Sequence, residues 1–236
     1  MKKVLALVLA FVMVFSFAAC GKKENTTAKS EGVMTYAQYD AAKKDDKVVI
    51  EAYVQAHQSW WDNKLTVYAQ DGDGGYFIYN MTCSEADAAK LVPGTKIKVT
   101  GYKTEWSGEY EVADGATFEI EEGSWIAPAT DVTKYLGTDD LIKYQNQFVA
   151  FKGMKVEKAA LYKWDGSGKP GDDLYFDVSK DGKTYSFTVE SYLCDKDTDV
   201  YKAVEALKVG DVIDMEGFCY WYEGVNPHIT SVKAAK

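Results

Sequence analysis

One passage of this chain is written twice, and that duplication limits the fold more than any other feature. Residues 91–108 read L-V-P-G-T-K-I-K-V-T-G-Y-K-T-E-W-S-G, and residues 207–224 read L-K-V-G-D-V-I-D-M-E-G-F-C-Y-W-Y-E-G. At one constant offset Leu91 meets Leu207, Gly94 meets Gly210, Ile97 meets Ile213 and Gly101 meets Gly217. The same offset sets Tyr102 on Phe218 and Gly108 on Gly224. Ungapped agreement of this kind marks an internal repeat, and a repeat sets the architecture before single elements are read. In a chain of 236 residues it predicts two small domains of one fold.

The first copy divides as follows. Thr35 stands three residues before Gln38, a capping-box pattern that predicts a short helix to about Lys44. Val48, Ile50, Ala52 and Val54 then alternate with Val49, Glu51, Tyr53 and Gln55, the period of a first strand. A polar loop at residues 57–64 (HQSWWDNK) leads to strands at 65–70 and 76–81. Between them lies D-G-D-G-G, a hairpin turn whose Gly and Asp tolerate positive φ. Ser84 caps a helix of one or two turns that Pro93-Gly94 ends. A fourth strand follows at 96–104, a turn at Trp106-Ser107-Gly108, and a fifth strand within 109–120.

Five strands with a helix between the third and fourth resemble the oligonucleotide/oligosaccharide-binding (OB) fold, a small partly open Greek-key barrel. The resemblance rests on Val48-x-Ile50-x-Ala52, on the Q-D-G-D-G-G-Y turn at residues 70–76, and on the Leu91, Gly94, Ile97, Gly101 entry to the fourth strand. In the second copy Val149, Phe151 and Gly153 take the places of Val48, Ile50 and Ala52. Residues 141–147 stand as a lead-in helix and 161–171 as the loop after the first strand. Leu174, Phe176 and Val178 alternate, then Tyr185, Phe187 and Val189, joined by an Asp181-Gly182 turn. A helix is expected over 199–207 and a last strand near 228–232, while the glycine-rich turn of copy one becomes S-K-D-G-K-T. The expected fold class is mainly β: two tandem five-stranded OB-like Greek-key barrels.

The N-terminus carries a different message. Lys2 and Lys3 precede an apolar run at residues 4–19 in which Ser16 is the one polar residue, the pattern of a signal-peptide core. It ends F-A-A-C-G; two small residues before a Cys resemble the lipobox of bacterial lipoproteins, with Phe17 where Leu is usual. That resemblance implies a lipid on Cys20 and a protein held on the outer face of a cell membrane, or in the periplasm. The expected organisation is a leader at 1–19, a flexible polar tether at 20–34, a first barrel at 35–127 and a second at 128–236. Cys83, Cys194 and Cys219 match no disulfide framework and read as buried thiols; a Cys194–Cys219 bridge stays open.

Composition then narrows the function. The chain has no Arg, and its net charge is -9. Arg supplies the planar fork that grips phosphate, and a basic footprint is usual in nucleic-acid binders. Both features argue against a nucleic-acid partner, which is kept only as an alternative. No zinc spacing, nucleophile elbow, Walker loop or H-E-x-x-H occurs, so neither cofactor, metal nor enzymatic chemistry is expected, and a hydrolase ranks last. Asp71 and Asp73 read as turn residues, and Asp195, Asp197 and Asp199 as an acidic helix start, since both sets lack the remaining calcium ligands. The OB resemblance implies a ligand across the second and third strands, between the loops joining strands 1–2 and 4–5. Those places hold Trp60, Trp61, Tyr68 and Trp106 in copy one and Trp164, Trp221 and Tyr222 in copy two. Their rings either stack on a ligand or cap the barrels. The expected function is an exported binding or scaffold module for a glycan, peptide or partner protein.

Overall fold

A computed structural model describes residues 25–235. Cys20 and the leader lie outside the described residues.

The first sheet contains β1 (Lys47–His57), β2 (Lys64–Gln70), β3 (Gly75–Thr82), β4 (Thr95–Trp106) and β5 (Glu109–Val112). Their order is β1-β2-β3-β5-β4, and β4 returns to β1, so the sheet closes into a five-stranded barrel. Helix α1 (Tyr36–Ala41) leads in, with the Thr35–Gln38 capping box formed in both directions. Helix α2 (Glu85–Ala88) sits between β3 and β4, capped by Ser84. The alternating residues Val48, Ile50, Ala52 and Val54 all face inward with no exposed surface, as the period-two pattern requires.

The second barrel repeats that order. It uses β8 (Phe148–Tyr162), β9 (Leu174–Lys180), β10 (Lys183–Val189), β11 (Val212–Phe218) and β12 (His228–Ala234), with α3 (Asp199–Glu205) before β11. The ring runs β8-β9-β10-β12-β11 and closes from β11 to β8. Its core is built on Phe151, Phe176, Phe187 and Tyr201, none with exposed surface. The mainly-β tandem OB-like architecture expected from the repeat is the observed one.

The duplicated glycines now have reasons. Gly94 and Gly210 share one backbone angle, φ +96, in the turn that launches the fourth strand of each barrel. Gly101 and Gly217 lie where the fourth and fifth segments cross closely. A Cβ on Gly101 would meet Val112 Cγ1 at 2.5 Å, and one on Gly217 would strike the backbone of His228 and Ile229.

Several local expectations are corrected. The stretch 109–120 holds two strands, β5 and β6 (Thr117–Ser124), parted by a turn at Gly115 with φ +87. β6 adds to β4 outside the barrel, and β7 (Thr130–Asp131) adds likewise to β8. The second lead-in helix is a 3-10 segment at Asp139–Tyr144. Residues 25–34, expected within a flexible tether, are pinned to the first barrel. The Lys29 ammonium forms a buried ion pair with Asp71 and donates to the Glu51 carbonyl at 2.7 Å. Asp71 also accepts from the Asp73 and Gly74 amides and the Tyr76 hydroxyl, so its carboxylate is fully used as a turn anchor.

Gly217→Ala is expected to destabilise the protein by about 1–3 kcal/mol through a backbone clash. Gly210→Ala is expected to cost about 1–2 kcal/mol through left-handed strain alone. Urea unfolding of both variants checks the order.

Candidate functional site

The two barrels meet on the outer face of β2 and β3. Side chains there alternate with the core, so Tyr68 and Phe77, cross-strand partners, both point out of barrel one. Barrel two covers them. The Tyr68 ring stacks on Phe218 at 4.5 Å, and its hydroxyl shares a 2.7 Å hydrogen bond with Nδ1 of His228. Tyr220 lies against Phe77 at 5.2 Å and stacks on His228 at 4.1 Å. Burial drives the His228 pKa down to about 3, so the ring is neutral.

Polar contacts fix the same joint. Gln70, at the start of the glycine-rich turn, accepts from the Phe148 amide at 2.7 Å. A Cβ on Gly75 would run into the backbone of Asn146, so the turn lies flush against the chain entering barrel two. This explains why the turn is not shared between the copies: in copy one it seats the second barrel. Glu109 is fully buried and accepts from the Trp221 amide at 2.9 Å and from the Gln145 side chain at 3.3 Å. Desolvation holds its carboxyl well above the usual carboxylate range. Glu109 Oε1 and Asn146 Oδ1 have no hydrogen-bond partner among the described residues. A proton on Oε1 turns one of these two acceptors into a donor.

Beside this joint the barrels leave a cleft of about 590 Å³. Phe77, Tyr79, Trp106 and Glu111 line it from barrel one, and Trp164, Tyr175, Tyr220 and Tyr222 from barrel two. Gln58, Glu190, Asn226 and His228 supply polar atoms. Glu190 is held in place: it accepts from the Leu193 amide at 2.8 Å and from Gln58 at 3.1 Å. The Glu111 side chain is not held: the residue is 8% exposed, its carboxylate has no hydrogen bond or ion pair among the described residues, and its oxygens open onto the cleft. Burial raises both glutamates to about 7.

The seven aromatic candidates separate. Trp106, Trp164 and Tyr222 line the cleft and are exposed. Trp61 is 72% exposed but does not line it. Trp60 packs on the first core and donates to the Cys83 carbonyl at 2.8 Å. Tyr68 has no exposed surface, and Trp221 packs on the second core with its ring edge at Gly108. Tyr68 is thereby closed to any ligand, and Trp60 and Trp221 are half-buried and held by these contacts. The three thiols are free and buried, and Cys194 and Cys219 are not bridged. The glutamates and Phe77, Tyr79, Tyr175 and Tyr220 escaped sequence reasoning. Their one signal is apolar or aromatic residues on the outer face of a strand whose inner face is already apolar.

No protein-family model and no curated protein matches the chain. Solved structures do. One is a murine DNA-binding protein bound with double-stranded DNA, 13% identical, covering 80% of this chain and 96% of its own, with a TM-score of 0.37. Another is the Ifi202 HINa domain in complex with 20bp double-stranded DNA, 11% identical, covering 81% of this chain and 100% of its own, with a TM-score of 0.36. The expectation that a nucleic-acid partner is unlikely is corrected here: structures similar to this chain were solved with duplex DNA bound. The likeness does not transfer their ligand to this chain.

Tyr68→Phe is expected to lower stability by about 1 kcal/mol by orphaning His228, whereas Trp106→Ala and Trp164→Ala stay within about 0.5 kcal/mol; denaturant midpoints decide. Glu109 binds its proton more tightly folded than unfolded. Its contribution to stability is therefore fullest below about pH 4.5, the unfolded value, and is lost as pH rises toward the raised folded value. Melting temperatures recorded from pH 5 to pH 8 should fall less in Glu109→Gln than in the native protein.

Proposed function

We infer that this chain is an exported, lipid-anchored binding protein, not an enzyme, whose inter-barrel cleft takes a small ligand of glycan or peptide type. The leader ending in Cys20 supports export and anchoring. The cleft supports the rest, and it is the observation that carries the reading. Its volume of about 590 Å³ falls in the range of small-molecule sites. Its walls are aromatic faces, which stack on sugar rings and apolar side chains. Gln58 and Asn226 offer amide donors and acceptors for orientation. The polar atoms sit on a joint that is fully packed, so the site is preorganised and binding need not order it.

A nucleic-acid ligand is the second reading. Trp106 and Trp164 are 60% and 75% exposed, and open indole faces stack on bases as readily as on sugars.

Tryptophan emission separates the readings. The mature protein is titrated with neutral oligosaccharides, short peptides, and single- and double-stranded oligonucleotides. A cleft ligand is expected to quench emission, and Trp106→Ala and Trp164→Ala should each weaken it by about ten-fold or more, the equivalent of ~1.4 kcal/mol. Trp61→Ala should bind as the native protein does. A ligand unaffected by both cleft variants overturns the cleft. An oligonucleotide whose affinity falls steeply with salt and with both variants selects the second reading.

A further inference from the structure

The cleft holds a carboxylate that the fold does not use. Resting on the reading that the cleft binds a small ligand, we propose that this ligand carries an ammonium group, with Glu111 as its counter-ion and the surrounding rings as its walls.

Three observations converge. Glu111 is more than nine-tenths buried, lines the cleft, and has no hydrogen-bond or ion-pair partner among the described residues. Its carboxylate oxygens are not sealed from water but open onto the cleft, so a carboxylate stripped of most of its hydration faces an incoming ligand with no side-chain partner of its own. Next, the cleft lining contains no Lys, so nothing there competes with an incoming cation. Finally, the lining is rich in aromatic residues, and an aromatic ring attracts an organic cation through the negative quadrupole of its face and does not favour an anion there.

Structural reasons for Glu111 fail one by one. It pairs across the sheet with Thr104 on β4 and beside Phe77 on β3, neither a charged partner. Glu109 on its own strand is another carboxyl and supplies no positive charge. Tyr39 from α1, Tyr79 from β3 and Tyr220 after β11 are uncharged phenols. Glu190, after β10, is spent on the turn that follows it. His228 at the start of β12 is neutral and engaged by Tyr68.

Proton linkage follows. Glu111 titrates near pH 7 in the empty cleft. An ammonium ligand needs the ionised form, so affinity climbs as pH rises from 5.5 and levels off near 8. Binding at pH 6 releases a proton to solvent.

The mature protein is titrated by calorimetry with three cations, each beside a neutral molecule of like shape. Choline is paired with 3,3-dimethylbutan-1-ol, 1,5-diaminopentane with 1,5-pentanediol, and a glucosamine tetramer with its N-acetylated form. At least one cation is expected to bind about ten-fold or more tighter than its neutral match at pH 7.5. For choline and the diamine, whose charge is constant, affinity should drop about ten-fold from pH 8 to pH 5.5. Glu111→Gln should erase both the charge preference and the pH dependence. Its thermal melt, recorded alongside, confirms that the fold is intact. Neutral molecules binding as well as cations overturn the proposal and leave the cleft reading standing. Cations that bind equally in Glu111→Gln also overturn it. Silence from every pair, with no quenching by any ligand class above, removes the proposal and the cleft reading together.

Discussion

Everything in this molecule depends on what covers the outer face of β2 and β3. In a lone barrel that face would present Tyr68 and Phe77 to water. Here the start of β8, the end of β11 and the start of β12 close over it, through Phe148, Phe218 and His228. Burying two or three such rings is worth about 1.5–3 kcal/mol each. The contact also restricts the angle between the barrels, because the hydrogen bond between Tyr68 and His228 and the bond from the Trp221 amide to Glu109 must form together. The cleft is a by-product of that joint. Its width is set by the same residues that hold the barrels together.

The two copies have consequently been specialised in opposite senses. Copy one gives up the surface on which an isolated barrel of this kind would bind, and copy two gives up its own edge to cover it. What they share is backbone geometry: Gly94 and Gly210 adopt the same φ, and Gly101 and Gly217 relieve equivalent close approaches. What they do not share is the glycine-rich turn, which seats the partner in one copy and faces no such demand in the other.

That division explains what the sequence reveals. Strand faces, caps and the duplicated glycines are local properties, and Val48 to Val54, Thr35 with Gln38, and Leu91 to Gly108 are read from neighbouring residues alone. The joint is not local. Tyr68 is a tyrosine on an outward strand position, as suited to a ligand as to a partner barrel, and only the position of His228 in space distinguishes the two. Trp60 misleads for the same reason: its neighbour Trp61 is exposed, yet Trp60 turns inward to the Cys83 carbonyl. Glu111 is invisible among 36 acidic residues because its meaning is the absence of a partner. The tether misleads because its polar composition suits a free linker, while Lys29 finds a buried carboxylate 42 positions away.

The buried Glu109 bears on what either half could do alone. A carboxyl of the first barrel sealed against two donors of the second, the Trp221 amide and the Gln145 side chain, is tolerable only while both barrels are present. Pull the halves apart and each bares rings to water, Tyr68 and Phe77 on one and Phe218 on the other, a surface prone to clumping. A seam of this kind ties the stability of each barrel to the presence of the other.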